Sequence, residues 1–191
     1  MNKRIVLFAS GNGSNVEQIC RFFEQDATVT VQAVLTNKAT AGVINRVKPF
    51  GIEAEVFDKS SFTDGTLLAQ VKNSNPDLIV LAGFLWKMGA DWVKAFPKKI
   101  INIHPALLPN YGGKGMYGEH VHRAVQANGD QETGITIHYV NEQYDEGAVI
   151  FQAKVAISPQ DEAAAIAEKV HQLEHRHFPE VIAQLLKIKA E

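Results

Sequence analysis

Residues 77–104 read DLIVLAGFLWKMGADWVKAFPKKIINIH. Two short apolar runs, DLIVLAGF and KIINIH, flank a helical candidate, GADWVKAF. Apolar side chains at consecutive positions, not alternate ones, mean that both faces of a strand are covered, which is the condition of a parallel sheet sandwiched by helices. The same alternation extends towards the N-terminus. RIVLFAS, VTVQAVLTN and EAEVFD read as further strands, and SNVEQICRFFEQ, ATAGVINRVKPF and DGTLLAQVKNSN as the helices between them. The expected fold class is therefore α/β, a Rossmann-like, mostly parallel sheet flanked by helices.

After His104 the pattern changes. PALLPNYGGKGMYGEH (105–120) is a long connection rich in proline and glycine, of the kind that serves as a lid, and the glycine content of its part from Pro109 to Glu119 leads to an expectation of disorder without a ligand. TGITIHYVN and AVIFQAKVAI then read as a C-terminal antiparallel hairpin around EQYDEG. SPQDEAAAIAEKVHQLEHRHF opens a long final helix, with an N-cap serine and a proline in its first turn. Pro179 is expected to kink or divide that helix. No linker interrupts the chain, so a single domain over 1–191 is expected, with 1–100 as a phosphate-binding half and 101–191 as a catalytic half.

Composition narrows the function classes. The 191 residues are 46% hydrophobic and 21% charged, and the net charge is −2. With a pI near 6.4, the basic face of a nucleic-acid binder is not expected. No apolar run approaches the roughly 20 residues of a membrane span, and the N-terminal apolar stretch is too short for a signal peptide. The expectation is a cytoplasmic protein with small-molecule partners, no nucleic acid and no membrane; monomer and homodimer both stay open. The single cysteine rules out an intrachain disulfide. Cys20 shares an apolar stripe with Val16, Ile19 and Phe23, so it reads as a packed thiol.

Three features carry chemistry. SGNGSN (10–15) follows the first strand and opens the first helix, where backbone N–H groups favour an anion. It has Val16 where a dinucleotide fingerprint has its third glycine, and no P-loop lysine. A phosphomonoester therefore fits better than NAD or a nucleoside triphosphate, and a plain strand-to-helix turn remains the alternative. Asn102 and His104, two apart on a strand, project to one side at its carboxyl end, where open α/β sheets bind ligands. An amide N–H suits an oxyanion, and an imidazole can pass a proton or, when charged, stabilise that oxyanion; a hydrogen-bonded strand cap is the alternative. Asp145, at the hairpin tip, is the candidate carboxylate to face His104, or else a turn residue. HQLEH (171–175) matches a zinc-protease pattern, but little chain follows it to bring a third ligand, so no metal is expected. His120, His122 and His177 are read as lying on exposed helix faces.

SGNGSN, LAGFLWKM, NIHPALLPNYGGKG, GITIHYVNEQYDEG and VHQLEHRHFPEVI together resemble the phosphoribosylglycinamide formyltransferases, a folate-dependent formyltransferase family, over essentially the whole chain. The resemblance implies transfer of a formyl group from 10-formyltetrahydrofolate, a co-substrate, to the amine of phosphoribosylglycinamide in purine synthesis. It implies Asn102, His104 and Asp145 as catalytic residues, and Gly13, Ser14 and Asn15 at the substrate phosphate. It places Glu174 at the glycinamide end, and Leu85, Trp86, Lys87 and Met88, with Asn102, around the folate. Thr136 and His138 are implied as support for the trio, and Leu108-Pro109 as a cis bond. Trp86 stands where many relatives have an arginine, and Lys59 or Ser60 where another arginine often assists the folate. A tRNA or amino-sugar formyltransferase, a formyl-folate hydrolase and a non-catalytic phosphate-binding module are the rival readings.

Overall fold

The computed structural model describes residues 2–188. β1 (Lys3–Ala9), β2 (Val29–Thr36), β3 (Ala54–Val56), β4 (Leu78–Leu81), β5 (Ile100–His104), β6 (Glu132–Tyr139) and β7 (Val149–Ala156) form one sheet, in the order β3-β2-β1-β4-β5-β6-β7. The first five strands run parallel, and β6 is antiparallel to both β5 and β7. The helices are α1 (Ser14–Phe23), α2 (Val43–Arg46), α3 (Lys59–Thr63), α4 (Thr66–Ser74), α5 (Ala90–Ala95), α6 (Glu119–Asn128) and α7 (Ala163–Ile188).

The consecutive apolar residues of the central strands feed two separate cores. From β1, Ile5 and Leu7 join Val16, Ile19 and Phe23 of α1 and Phe178 and Ile182 of α7 on one face. Val6 and Phe8 point the other way, into a cluster that includes Phe57, Phe62, Phe84, Trp92 and Phe96. Phe8 meets Trp92 edge-on at 5.6 Å and Phe84 at 5.3 Å, separations at which tilted aromatic pairs attract. Alternation of side chains along a strand thus gives each helical layer its own apolar surface. Cys20 lies in the first core, and burial pushes its thiol up to about 12.

Several local expectations are corrected. ATAGVINRVKPF yields only four residues of α2 and a 3-10 turn at Lys48–Phe50, because Pro49 has no N–H to continue the ladder. Asp58, at the end of the third expected strand, caps α3 by accepting the Ser61 N–H at 2.8 Å. The final helix begins at Ala163, since Asp161 accepts the Ser158 N–H at 2.9 Å and ties Ser158–Asp161 into a turn. Nor does Pro179 divide it: α7 runs continuously for 26 residues. Proline forfeits one backbone bond there, while Phe178, Val181 and Ile182 anchor both sides of the break in the core.

Gly13 illustrates how sequence and packing meet. It adopts φ 81°, and a Cβ there would stand 2.6 Å from the Val43 side chain. The glycine is required by the approach of α2 to the start of α1 as well as by its left-handed backbone.

Candidate active site

Strand order reverses between β1 and β4, so the loops after these two strands diverge and open a crevice at their carboxyl ends. Ser10 holds its floor together. Its N–H donates to the Gly83 carbonyl at 2.9 Å, and its Oγ accepts the Leu85 N–H at 3.0 Å. A cavity of about 660 Å³ lies here, within the size range of small-molecule sites. Ser10, Gly11, Asn12 and Asn15 line one side, Gly83–Met88 a second, and Asn102, His104, His138 and Asp145 the end.

The antiparallel register of β5 and β6 builds that end. Asn102 pairs with His138 and His104 with Thr136, so the side chains of each pair share a face. His138 donates from Nδ1 to the Tyr139 carbonyl at 2.9 Å, which leaves Nε2 to accept from Asn102 Nδ2 at 3.2 Å. The other Asn102 hydrogen meets Asp145 Oδ1 across a longer 3.4 Å. Thr136 serves the backbone instead: its Oγ1 donates to the Ala106 carbonyl and accepts the Leu108 N–H, and so shapes the turn after His104. The Leu108-Pro109 bond in that turn is cis.

His104 is only 3% exposed. Its Nε2–H donates to the Tyr111 carbonyl at 2.7 Å, and its Nδ1 faces Asp145 Oδ2 at 3.6 Å. Burial pulls the imidazole below its ordinary range, against the Asp145 charge and the Tyr111 carbonyl, which favour protonation; His138 adds to the lowering. For Asp145, burial raises the carboxyl, but the contact with His138, the charge of His104 and the Gly113 N–H at 3.0 Å outweigh it, and the net direction is down. The resting pair is a neutral imidazole beside a carboxylate.

Also on the cavity wall, Asn15 Nδ2 donates to Glu174 Oε2 at 2.9 Å, which joins the first helix to the last. Glu174 is buried, and desolvation raises its carboxyl against the Asn15 hydrogen bond and the His171 charge. Gly13 and Ser14 lie beside the cavity and not on its wall. Of the four residues expected around a folate, Met88 is buried, Trp86 half-buried, and Leu85 and Lys87 exposed. Lys59 Nζ sits 4.5 Å above the Trp86 ring. The Leu85–Met88 wall, backed by the Phe57, Phe62 and Phe84 rings, suits a flat heteroaromatic group. Among the described residues no group of three His, Cys, Asp or Glu is placed to hold a metal ion.

Two histidines depart from expectation. His120 is exposed, but His177 is half-buried against Phe151, with ring centroids 5.0 Å apart. His122 is 2% exposed, because α6 packs on α7 through the face that carries Val121, His122 and Val125. Among the described residues its Nδ1 has no hydrogen-bond partner. Burial, followed by the charges of His171 and His104 and opposed by Glu119, lowers its imidazole from 6.5 to about 4. Between those values the unfolded chain binds a proton that the folded chain refuses, so stability is lost as pH falls through that window. The urea midpoint is expected to drop between about pH 7 and about pH 5, and to drop less in His122→Gln; equal drops would exclude this role.

Sequence reasoning missed the partners that are backbone atoms, namely the Tyr111 carbonyl and the Gly113 N–H. It also missed His122 and Lys38 in the cavity wall. Only the alternation around Val121 and Val125 offered a signal, for His122.

Known proteins give the same reading of the fold. The sequence profile of the family described as formyl transferase matches residues 3–182. A phosphoribosylglycinamide formyltransferase of Bacillus subtilis is 35% identical, over 96% of this chain and 95% of that protein. That of Escherichia coli is 37% identical, over 94% and 85%. A chloroplastic relative from Arabidopsis thaliana is 37% identical, and this chain spans 65% of its length. The crystal structure of the Bacillus halodurans phosphoribosylglycinamide formyltransferase superposes with a TM-score of 0.88 at 33% identity, covering 99% of this chain and 97% of that one. With the whole sheet and both sides of the crevice inside the matched region, the chain belongs to the formyl transferase family.

Proposed function

We propose that this enzyme transfers the formyl group of 10-formyltetrahydrofolate to the amine of phosphoribosylglycinamide, giving formylglycinamide ribonucleotide and tetrahydrofolate. The observation that carries the reading is the convergence of Asn102, His104 and Asp145, with His138 behind them, at the end of a cavity with two chemically different sides. The polar side, with Asn15 and Glu174, receives the ribonucleotide. Gly13 and Ser14, beside that wall, bring the start of α1 close to it, where an anion such as the substrate phosphate is favoured. Glu174 meets the glycinamide end, and the Leu85–Met88 wall receives the folate ring.

The uncharged amine attacks the formyl carbon, and the carbonyl electron pair moves to oxygen. Asn102 meets that oxyanion with the N–H it holds only at 3.4 Å from Asp145 at rest. Neutral His104 takes the amine proton at Nδ1 and becomes an imidazolium held between the Asp145 carboxylate and the Tyr111 carbonyl. Asp145, 3.6 Å from Nδ1, stabilises that imidazolium until the proton moves on. The proton goes to N10 as the carbon–nitrogen bond breaks and the carbonyl re-forms, so no metal and no covalent enzyme intermediate enters the balance.

The test is the appearance of deformylated folate, followed by absorbance, with and without phosphoribosylglycinamide. Product formation that requires the acceptor is expected. Acceptor-independent release would mean a hydrolase, and no release would return the chain to a different formyl acceptor or to a binding module.

A further inference from the structure

We infer that the contact between Lys87 and Tyr144 is a clasp that positions Asp145, which makes both side chains positioning residues; this rests on the formyl transfer proposed above. Lys87 Nζ lies 5.7 Å from the centre of the Tyr144 ring, within the reach of cation–π attraction. Lys87 belongs to the segment after β4, and Tyr144 to the connection between β6 and β7. Both line the cavity, so their contact adds a tie at the hairpin tip to the one that Val140, just after β6, already makes by packing on the core cluster of Phe84 and Met88.

Asp145 needs such a tie. It adopts φ 56°, in the left-handed region. Its carboxylate has one short hydrogen bond, from the Gly113 N–H at 3.0 Å, while Asn102, His138 and His104 stand at 3.4, 3.5 and 3.6 Å. Loose contacts of this length do not fix a side chain, so its place depends on its backbone. On the C-terminal side that backbone is pinned. A Cβ on Gly147 would stand 1.6 Å from the Tyr139 carbonyl oxygen, and the Tyr139 N–H donates to the Ala148 carbonyl at 2.9 Å. On the N-terminal side the nearest tie to the sheet is the Val140 N–H on the Ile100 carbonyl at 2.9 Å, five residues away, and Gln143 N–H donates to the nearby Asn141 side chain. The Tyr144 ring on Lys87 is the contact next to Asp145 that holds this side to the opposite wall.

The second cation–ring contact, Lys59 over Trp86, lies on the Trp86 side alone and reaches no member of the trio. The clasp therefore makes a specific kinetic prediction. Loss of either partner lets Asp145 drift from His104 Nδ1, which slows the proton transfer without touching the acceptor site at Asn15 and Glu174.

Steady-state kinetics of Tyr144→Leu and Lys87→Met should show kcat lowered about two- to five-fold, with the acceptor KM unchanged. Tyr144→Phe keeps the ring face and should restore kcat. The double variant Lys87→Met/Tyr144→Leu should be no slower than either single one, since each already breaks the contact. In the intact protein the Lys87 ε-methylene protons should resonate upfield under the Tyr144 ring current and lose that shift in Tyr144→Leu. A phenylalanine variant as slow as the leucine one, multiplying single effects, or no ring-current shift would each overturn the clasp. The resonance measurement needs no turnover, so an inactive wild-type enzyme tells against the formyl-transfer reading, whereas a missing ring shift tells against the clasp.

Discussion

Alanine at position 104 is expected to lower kcat by about 10² to 10⁴, the span attributed to a positioned general acid–base group. The argument rests on geometry and direction of titration together. His104 donates Nε2–H to the Tyr111 carbonyl, which leaves Nδ1 as the basic nitrogen facing Asp145. Burial lowers its pKa, so the base is ready at neutral pH, and activity is lost only as pH falls through that lowered value. The pH–rate profile of the wild type should therefore show an acid limb below the ordinary histidine range, and His104→Ala should lose that limb along with its rate. Because His104 is buried, the comparison is made where circular dichroism shows the variant folded. A folded variant with undiminished kcat would remove His104 from the chemistry.

Asn102→Ala is expected to lower kcat by about 10² to 10³, the usual consequence of deleting one oxyanion donor. Affinity for the ribonucleotide phosphate should change little, since in the proposed mechanism Asn102 meets the formyl oxygen and not the phosphate. The substitution also removes the hydrogen bond to His138 Nε2, and this separates two roles. If Asn102 only props His138, Asn102→Asp and Asn102→Ala should differ from each other but both retain most of kcat. If it meets the oxyanion, both should fail, because a carboxylate there repels the developing charge.

Much of the architecture was legible because it depends on local pattern. The apolar runs at 4–10, 77–84 and 99–104 have no polar alternation, so each needs cover on both faces, and the two cores supply it. The period-two spacing of Asn102 and His104 at a strand end placed both on one side. The position of Asp145 at a hairpin tip offered it either as the carboxylate facing His104 or as a turn residue; the family resemblance, carried by NIHPALLP and the segments around it, implied the first and alone pointed to Glu174.

The remainder was not legible because it depends on contacts between distant segments. Pro179 has the same intrinsic effect in any helix, yet α7 runs through it because the core holds both flanks. His122 looks like a surface residue until α6 is laid on α7. The Tyr111 carbonyl and the Gly113 N–H carry no side-chain signature at all, so nothing in the order of residues 105–120 marks them as partners of His104 and Asp145.

Sequence by itself determined the α/β class, the parallel core of the sheet and the family, because hydrophobic period and contiguous motifs are properties of neighbouring residues. Tertiary structure alone decided the register that sets His138 opposite Asn102, the tautomer and lowered pKa of His104, and the joining of Asn15 to Glu174 across 159 positions. Those depend on desolvation and on hydrogen-bond distance, which exist only once the chain has closed on itself.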